Sequence, residues 1–194
     1  VTRVCVFCGS AAGARAEYAE AARALAAELA RRSLGLVYGG ASVGLMGLLA
    51  DTALAAGVEV IGVIPRGLFA RELAHPGLTE LRVVDSMHER KATMASLVDA
   101  FVALPGGLGT LEETLEVLTW SLLGIHRKPI GLLNTAAYYQ GLLTFFDHAT
   151  TEGFINPTYL NLFLSADTPT TLLDRLTTWQ PTTTIPTWLS KSQT

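Results

Sequence analysis

The chain has 194 residues, 49% hydrophobic and 16% charged, a balance that suits one domain with a sizeable core and excludes a disordered chain. Its net charge is −3, and its 14 Lys and Arg residues are scattered apart from short pairs such as Arg31 and Arg32, so nothing offers the basic face that a nucleic-acid partner requires. No charged stretch followed by an apolar one opens the sequence, and the most membrane-like run, 34–50, is interrupted by glycines and closed by Asp51, so neither a signal peptide nor a membrane span is expected.

The predicted elements alternate along the chain. Residues 4–7 read as a strand that turns at Cys8-Gly9-Ser10. Residues 14–32, rich in Ala, Leu, Glu and Arg, read as a helix that Gly35 has stopped by the next strand, 36–38. Gly39-Gly40 turns the chain into a helix over 45–56, which Gly57 caps. The β-branched run 58–64 is a strand ending at Pro65, and 81–84 is another. A helix over 87–98, a strand over 100–104 and the break Pro105-Gly106-Gly107 follow, then a helix over 110–123. Strand 129–133, helix 138–152, a short strand at 162–164 and helix 170–179 complete a single domain over 1–180. Residues 181–194, rich in Thr and Pro, are expected to be a loosely ordered tail. Repeated alternation of strand and helix with apolar strands implies an α/β fold: a Rossmann-like, doubly wound parallel sheet with helices on both faces. Such sheets take their ligands at the carboxyl ends of the strands. Three glycine-bearing segments fall there: 8–10, 38–47 and 105–113.

Cys5 and Cys8 have the spacing of a redox or zinc pair. Within a strand, however, they point to opposite faces, and no second Cys or His pair completes a zinc site. Two buried thiols in a reducing cytoplasm are expected instead, with no metal.

The segment PGGLGTLEE (105–113) carries the strongest chemical signal. Glycines let backbone N–H groups approach an oxyanion, and a helix start adds unpaired donors and a positive dipole end. A tight turn with Thr110 as its cap is the alternative. The segment is not a Walker A loop, because no Lys follows its last Gly, and not a dinucleotide fingerprint, because Glu112 stands where a third Gly would be. Glu112 and Glu113 fall in the first helical turn of this reading, where acids also serve as caps. About 100° apart, only one of them can face a cleft. A carboxylate beside a phosphate loop needs a cation, and Arg90-Lys91 in MHERK (87–91) could supply it. Glu72, Asp85 and His88 are further candidates for the cleft, and His126 in LGIHRKP reads as structural.

Together, CVFCGS, VYGGASVGLMG, SMHERK, LPGGLGTLEE and LTWSLLGIHRKP resemble the LONELY GUY (LOG) family of phosphoribohydrolases, often labelled lysine decarboxylases. The likeness runs from about residue 4 to 152 and weakly to 179. It implies a hydrolase that cuts the N-glycosidic bond of AMP or N6-modified AMP without a cofactor. It further implies catalytic roles for Arg90 and Glu113. Nucleotide contacts are implied at Glu72, Lys91, Gly107, Leu108, Gly109, Thr110, Leu111, Glu112 and Thr119, with Ser10 and Gly40 on neighbouring loops. One departure is Ala41, where many members carry a third glycine. A homodimer is expected both from the family and because the 110–123 helix is apolar on more than one face. Two other readings stay open: a pyridoxal-phosphate decarboxylase, for which Lys91, Lys128 and Lys191 are the only lysines, and a non-catalytic nucleotide sensor or carrier.

Overall fold

The computed structural model describes residues 1–69 and 73–181. Among these residues seven strands form one parallel sheet: β1 (Arg3–Phe7), β2 (Gly35–Tyr38), β3 (Val60–Pro65), β4 (Glu80–Val84), β5 (Ala100–Ala103), β6 (Ile130–Leu133) and β7 (Phe163–Ala166). Their spatial order is β4-β3-β2-β1-β5-β6-β7. The chain therefore winds outward from β1 to one edge, returns, and winds outward from β5 to the other. The register of the central pair sets Val4 beside Ala100 and Phe7 beside Ala103.

The helices are α1 (Ala16–Arg31), α2 (Gly44–Ala55), the short α3 (Arg66–Phe69), α4 (Met87–Ser96), α5 (Leu108–Leu122), α6 (Gln140–Thr151) and α7 (Pro169–Thr178). Alternation along β1 shows how they divide. Val4 and Val6 join Leu25, Leu29, Leu45, Leu49 and Leu172 under α1, α2 and α7. Cys5 and Phe7 join Met94 and Val117 under α4 and α5. Both faces of the sheet are thus covered, which is why the inner strands β2, β3, β5 and β6 are apolar and buried throughout. Cys5 and Cys8 are free buried thiols that belong to these two opposite clusters.

Several boundaries differ from the sequence reading. β3 continues through Pro65, whose missing N–H is tolerated at the strand's end, and α3 follows it directly. Residues 135–137 form a 3-10 turn before α6, so the helix read from residue 138 begins at Gln140. The shift with consequences is at α5. Gly107 is its extended N-cap, and Leu111 N–H bonds to Gly107 O at 3.1 Å, so the helix starts at Leu108 rather than Thr110. Thr110 is therefore not the cap, and no acid occupies the first turn. The expected tail from 182 onward lies outside the described residues. Among the described residues no helix is long and apolar enough to cross a membrane.

Candidate active site

Strand order reverses between β1 and β5, which opens a crevice at their carboxyl ends. The loops that follow are tied together: Gly9 N–H donates to Pro105 O at 3.1 Å, and Gly9 O accepts from Leu45 N–H of α2 at 3.1 Å. On the α4–α5 side of this crevice two charged side chains are buried, Arg90 at 8% exposure and Glu113 at 9%.

Arg90 is delivered by a well-capped helix. Ser86 Oγ accepts from Glu89 N–H at 3.0 Å, and the Glu89 carboxylate reaches back to Asp85 N–H at 2.8 Å. From the first turn of α4 the guanidinium turns inward. Its Nε donates to Val63 O, within β3, at 3.0 Å and its Nη2 to Gly39 O, just past the end of β2, at 3.1 Å. Its Nη1 lies 3.3 Å from Glu113 Oε1. The planar fork thus gains two carbonyls and a carboxylate for the water it gives up. Gly39 has to be glycine for this, because a Cβ there would overlap Arg90 Nη2. Glu113 feels opposing influences. Burial pushes its pKa above the usual carboxylate value, Arg90 pulls it down, and the net direction is up.

Beside this pair, Lys91 Nζ lies 2.5 Å from Glu112 Oε1 and 2.9 Å from Glu116 Oε2. Glu112 and Glu116 are one turn apart on α5, and Lys91 bridges them. Glu112 is half exposed and turned away from Arg90. The two neighbouring acids therefore divide as their helical angle requires: Glu113 goes inward to Arg90 and Glu112 outward to Lys91.

The start of α5 supplies a different chemistry. Its N-cap Gly107 makes no side-chain capping bond, so the amides of the first turn have no side-chain acceptor. Gly106 is packed, since a Cβ would run into Thr110. Gly107 and Gly109, by contrast, would meet nothing within 4 Å if they carried a Cβ, and neither has a positive φ. Packing and backbone strain therefore give no reason for glycine at these two positions, and the space over them is open to a ligand.

A protein-family model described as "Possible lysine decarboxylase" matches residues 46–176. The chain is 51% identical over 179 residues to the cytokinin riboside 5'-monophosphate phosphoribohydrolase LOG1 of Arabidopsis thaliana, covering 92% of this chain and 84% of that one. It is 52% identical to LOG7 of the same plant, covering 92% and 82%. The chain belongs to the LOG family. Among solved structures, the molybdenum cofactor binding protein from Rippkaea orientalis aligns with a TM-score of 0.68 at 21% identity, over 91% of this chain and 95% of that one, a likeness of fold.

The other residues singled out in the LOG sequence scatter more widely. Ser10 is exposed and lines a pocket of about 260 Å³ with Gly13, Tyr18, Gly107 and Tyr138. Gly40 has φ +77° and lies against Val63 and Ile64, with its carbonyl accepting from His75 N–H, so it shapes the loop rather than offering an open surface. Ala41 is accommodated without a positive φ, in a bridge to Ala74, and its carbonyl accepts from Tyr38 Oη. Leu108 is 86% exposed at the mouth of the glycine loop, whereas Leu111 packs inward beside Tyr139. Thr119 sits six residues beyond Glu113, about 9 Å along the helix. It lines an apolar groove with Leu115 and Leu122, so one chain does not bring it to Arg90. Glu72 lies outside the described residues. Asp85 pairs with Arg66 on the surface at 3.1 Å. His88 is exposed, and His126 is a buried staple between Val117 O and Lys128 N–H.

Three residues near the site escaped the sequence reading. Tyr138 and Tyr139 bond the carbonyls of the glycine loop and of the strand end before it. His75, buried, accepts from Gly77 N–H and pairs with Asp51 at 2.9 Å, anchoring the segment that bonds to Gly40. The only local signals were a Tyr-Tyr pair after an Asn and a His-Pro-Gly turn, both common in structural loops.

Proposed function

We propose that this LOG-family enzyme hydrolyses the N-glycosidic bond of cytokinin riboside 5'-monophosphates and of AMP, releasing the free base and ribose 5-phosphate. The observation that carries the reading is the buried Arg90–Glu113 pair standing one helical turn beyond an uncapped, open glycine loop. Gly109 and Glu113 are about 6 Å apart along α5. That separation is of the order of the reach from a 5'-phosphate to the anomeric carbon.

The 5'-phosphate rests on the amides of Gly107 to Thr110, where the helix dipole favours an anion. Departure of the base leaves positive charge on the sugar, and the Glu113 carboxylate stabilises it. Water adds to the anomeric carbon, losing a proton, while the base leaves with the bonding pair and gains one. Arg90 opposes the effect of burial on Glu113 and so favours its ionised form. Its guanidinium can also bond ribose hydroxyls. Phosphate binding energy positions the bond, so a nucleoside lacking phosphate should react poorly. Lys91, Glu112, Ser10 and Leu108 border this path and are assigned to nucleotide contact.

A pyridoxal-phosphate decarboxylase does not fit the two described lysines, Lys91 and Lys128; Lys191 lies outside the described residues. A Schiff base requires a neutral amine. Burial lowers the Lys91 pKa, but its bonds to Glu112 and Glu116 outweigh that and raise it. Lys128 Nζ donates to Ala95 O at 2.6 Å, away from the crevice.

We assign the enzyme to the cytoplasm, in keeping with its two free thiols, and to a homodimer. On α5 the buried residues are Thr110, Glu113, Thr114, Val117 and Ser121, while Leu115, Leu118 and Leu122 line a groove of about 380 Å³ with Phe146 and Phe154. Phe154 is 88% exposed. A second copy would cover this apolar surface. The test of function is incubation with AMP, N6-isopentenyl-AMP, GMP, CMP and adenosine, with free base measured. Adenine-type monophosphates should be cleaved and adenosine poorly. No base from any monophosphate, or equal rates on adenosine and AMP, would overturn the reading.

A further inference from the structure

Three successive carbonyls at the β5 turn are each held by a donor. Tyr139 Oη donates to Leu104 O at 2.6 Å, Gly9 N–H to Pro105 O at 3.1 Å, and Tyr138 Oη to Gly106 O at 2.5 Å. The two tyrosines come from a costly turn. Ala136 and Ala137, neither of them glycine, have φ of 52° and 59°. That left-handed conformation is disfavoured for residues with a Cβ. Two backbone bonds, Asn134 N–H to Ala166 O at 2.8 Å and Ala137 N–H to Asn134 O at 3.1 Å, fix the turn, and Asn134 Oδ1 accepts from Tyr139 N–H at 2.7 Å. Edge-on contact of the Tyr138 ring with Tyr18 and Tyr139, at centroid distances of 5.6 and 5.1 Å, sets the direction of its hydroxyl. Strain of this kind persists where the surroundings over-determine it, and such places concentrate at functional sites.

The peptide unit explains what the Tyr138 bond controls. In a planar trans peptide the C=O and N–H point in opposite directions. Holding Gly106 O therefore aims the N–H of Gly107, in a loop whose glycines would otherwise let that peptide rotate. The neighbouring bond has no such effect. The peptide that carries Leu104 O joins it to Pro105, which has no N–H.

We propose that Tyr138 is a positioning residue for phosphate: its hydroxyl fixes the Gly106–Gly107 peptide so that Gly107 N–H joins the amides of Leu108 and Gly109 in receiving the anion. This rests on the phosphoribohydrolase reading above. Tyr139, one residue on, is the anchor that secures the strand end and leaves the amides unaffected.

Tyr138→Phe removes one hydroxyl and keeps the ring, and the residue is 40% exposed, so the fold should survive. The expected result is a rise of about fivefold to tenfold in both KM for AMP and Ki for inorganic phosphate, the scale of one aligned hydrogen bond, with kcat within about twofold of wild type on the same scale. Tyr139→Phe should lower the melting temperature and leave KM and Ki unchanged. An unmoved phosphate Ki in Tyr138→Phe, or an equal rise in Tyr139→Phe, overturns the proposal. Should the wild-type enzyme release no adenine from AMP, the functional reading fails by itself. Calorimetric titration with inorganic phosphate then still decides the clamp: weaker binding in Tyr138→Phe supports it, and equal binding overturns it.

Discussion

Two glycine turns, Gly39-Gly40 after β2 and Gly107-x-Gly109 after β5, look alike in sequence and serve opposite ends. At Gly39 the protein fills the space itself, since the guanidinium of Arg90 occupies the place of a side chain and bonds the Gly39 carbonyl. Gly40 next to it needs its φ of +77°. At Gly107 and Gly109 neither condition holds, and the volume above them is empty of protein. The first turn seats the Arg90–Glu113 pair, and the second leaves open the space that the proposed function gives to the nucleotide. Glycine thus says only that a side chain is excluded; what excludes it has to come from three dimensions.

The comparison can be broken most sharply at Gly39. Gly39→Ala should displace Arg90 and separate it from Glu113, losing AMP turnover on the scale of Arg90→Ala. Because the methyl overpacks a filled site, stability should fall by about 1–3 kcal/mol as well. Unchanged activity would mean that the Arg90 arrangement is not needed. Glu113→Gln tests the other partner of the pair without crowding it. Loss of one charge that acts in the transition state costs roughly a hundredfold to a thousandfold in kcat, and kcat/KM should fall with it. Near-normal kcat, after circular dichroism shows a folded protein, would move the role to another carboxylate.

Gly109→Ala sharpens the contrast, because its two effects should have opposite signs. Alanine in the first turn of a helix is favoured over glycine by about 0.5 kcal/mol, so thermal unfolding should shift slightly upward. The same methyl projects into the open space above the loop, and KM for AMP should rise about tenfold if ligand fills that space. A stabilised variant with unchanged KM would show that the phosphate lies elsewhere.

The layout was largely legible in the sequence, because strand runs and glycine punctuation depend on local chemistry. Four of the seven described strands, β1, β2, β3 and β5, fall where apolar runs end at Gly or Pro. The α5 boundary was missed because Thr110 looks like a cap, while the actual cap, Gly107, gives no side-chain signal. MHERK read alone describes a solvated helix start, and three of its five residues, Met87, His88 and Glu89, are indeed exposed. The burial of Arg90 depends on carbonyls of two strands, Gly39 O and Val63 O, which no local pattern announces. Lys91 could have been placed from sequence, since Glu112 and Glu116 are one turn apart and ready to share a cation. The division of Glu112 from Glu113 followed from helical angle, although the choice of Glu113 as the inward acid came from the family resemblance and from no local pattern.

The smallest effect expected is at Glu112, and its sign is informative. The Glu113 pKa lies above its ordinary value of 4.5; burial is the largest cause, Arg90 opposes it, and the negative charge of Glu112 adds to the rise. If ionised Glu113 is the working form, activity falls as pH drops through that raised pKa. Its acid limb should therefore lie above the ordinary carboxylate range. A buried carboxyl with a raised folded pKa also costs stability once ionised. That cost is fully present above the folded pKa and is relieved as pH falls toward the unfolded value. Glu112→Gln removes one negative neighbour and frees Lys91 from half of its pairing, and both changes favour ionised Glu113. The acid limb of kcat/KM should then move to lower pH, so the variant retains a larger share of its activity in acid than wild type does. At neutral pH kcat should change only a few-fold, as for loss of a half-exposed ion pair. Profiles of kcat/KM for AMP against pH, measured on both proteins, decide the matter. A limb that moves upward, or a neutral-pH loss as deep as that of Glu113→Gln, would show that Glu112 and not Glu113 faces the sugar.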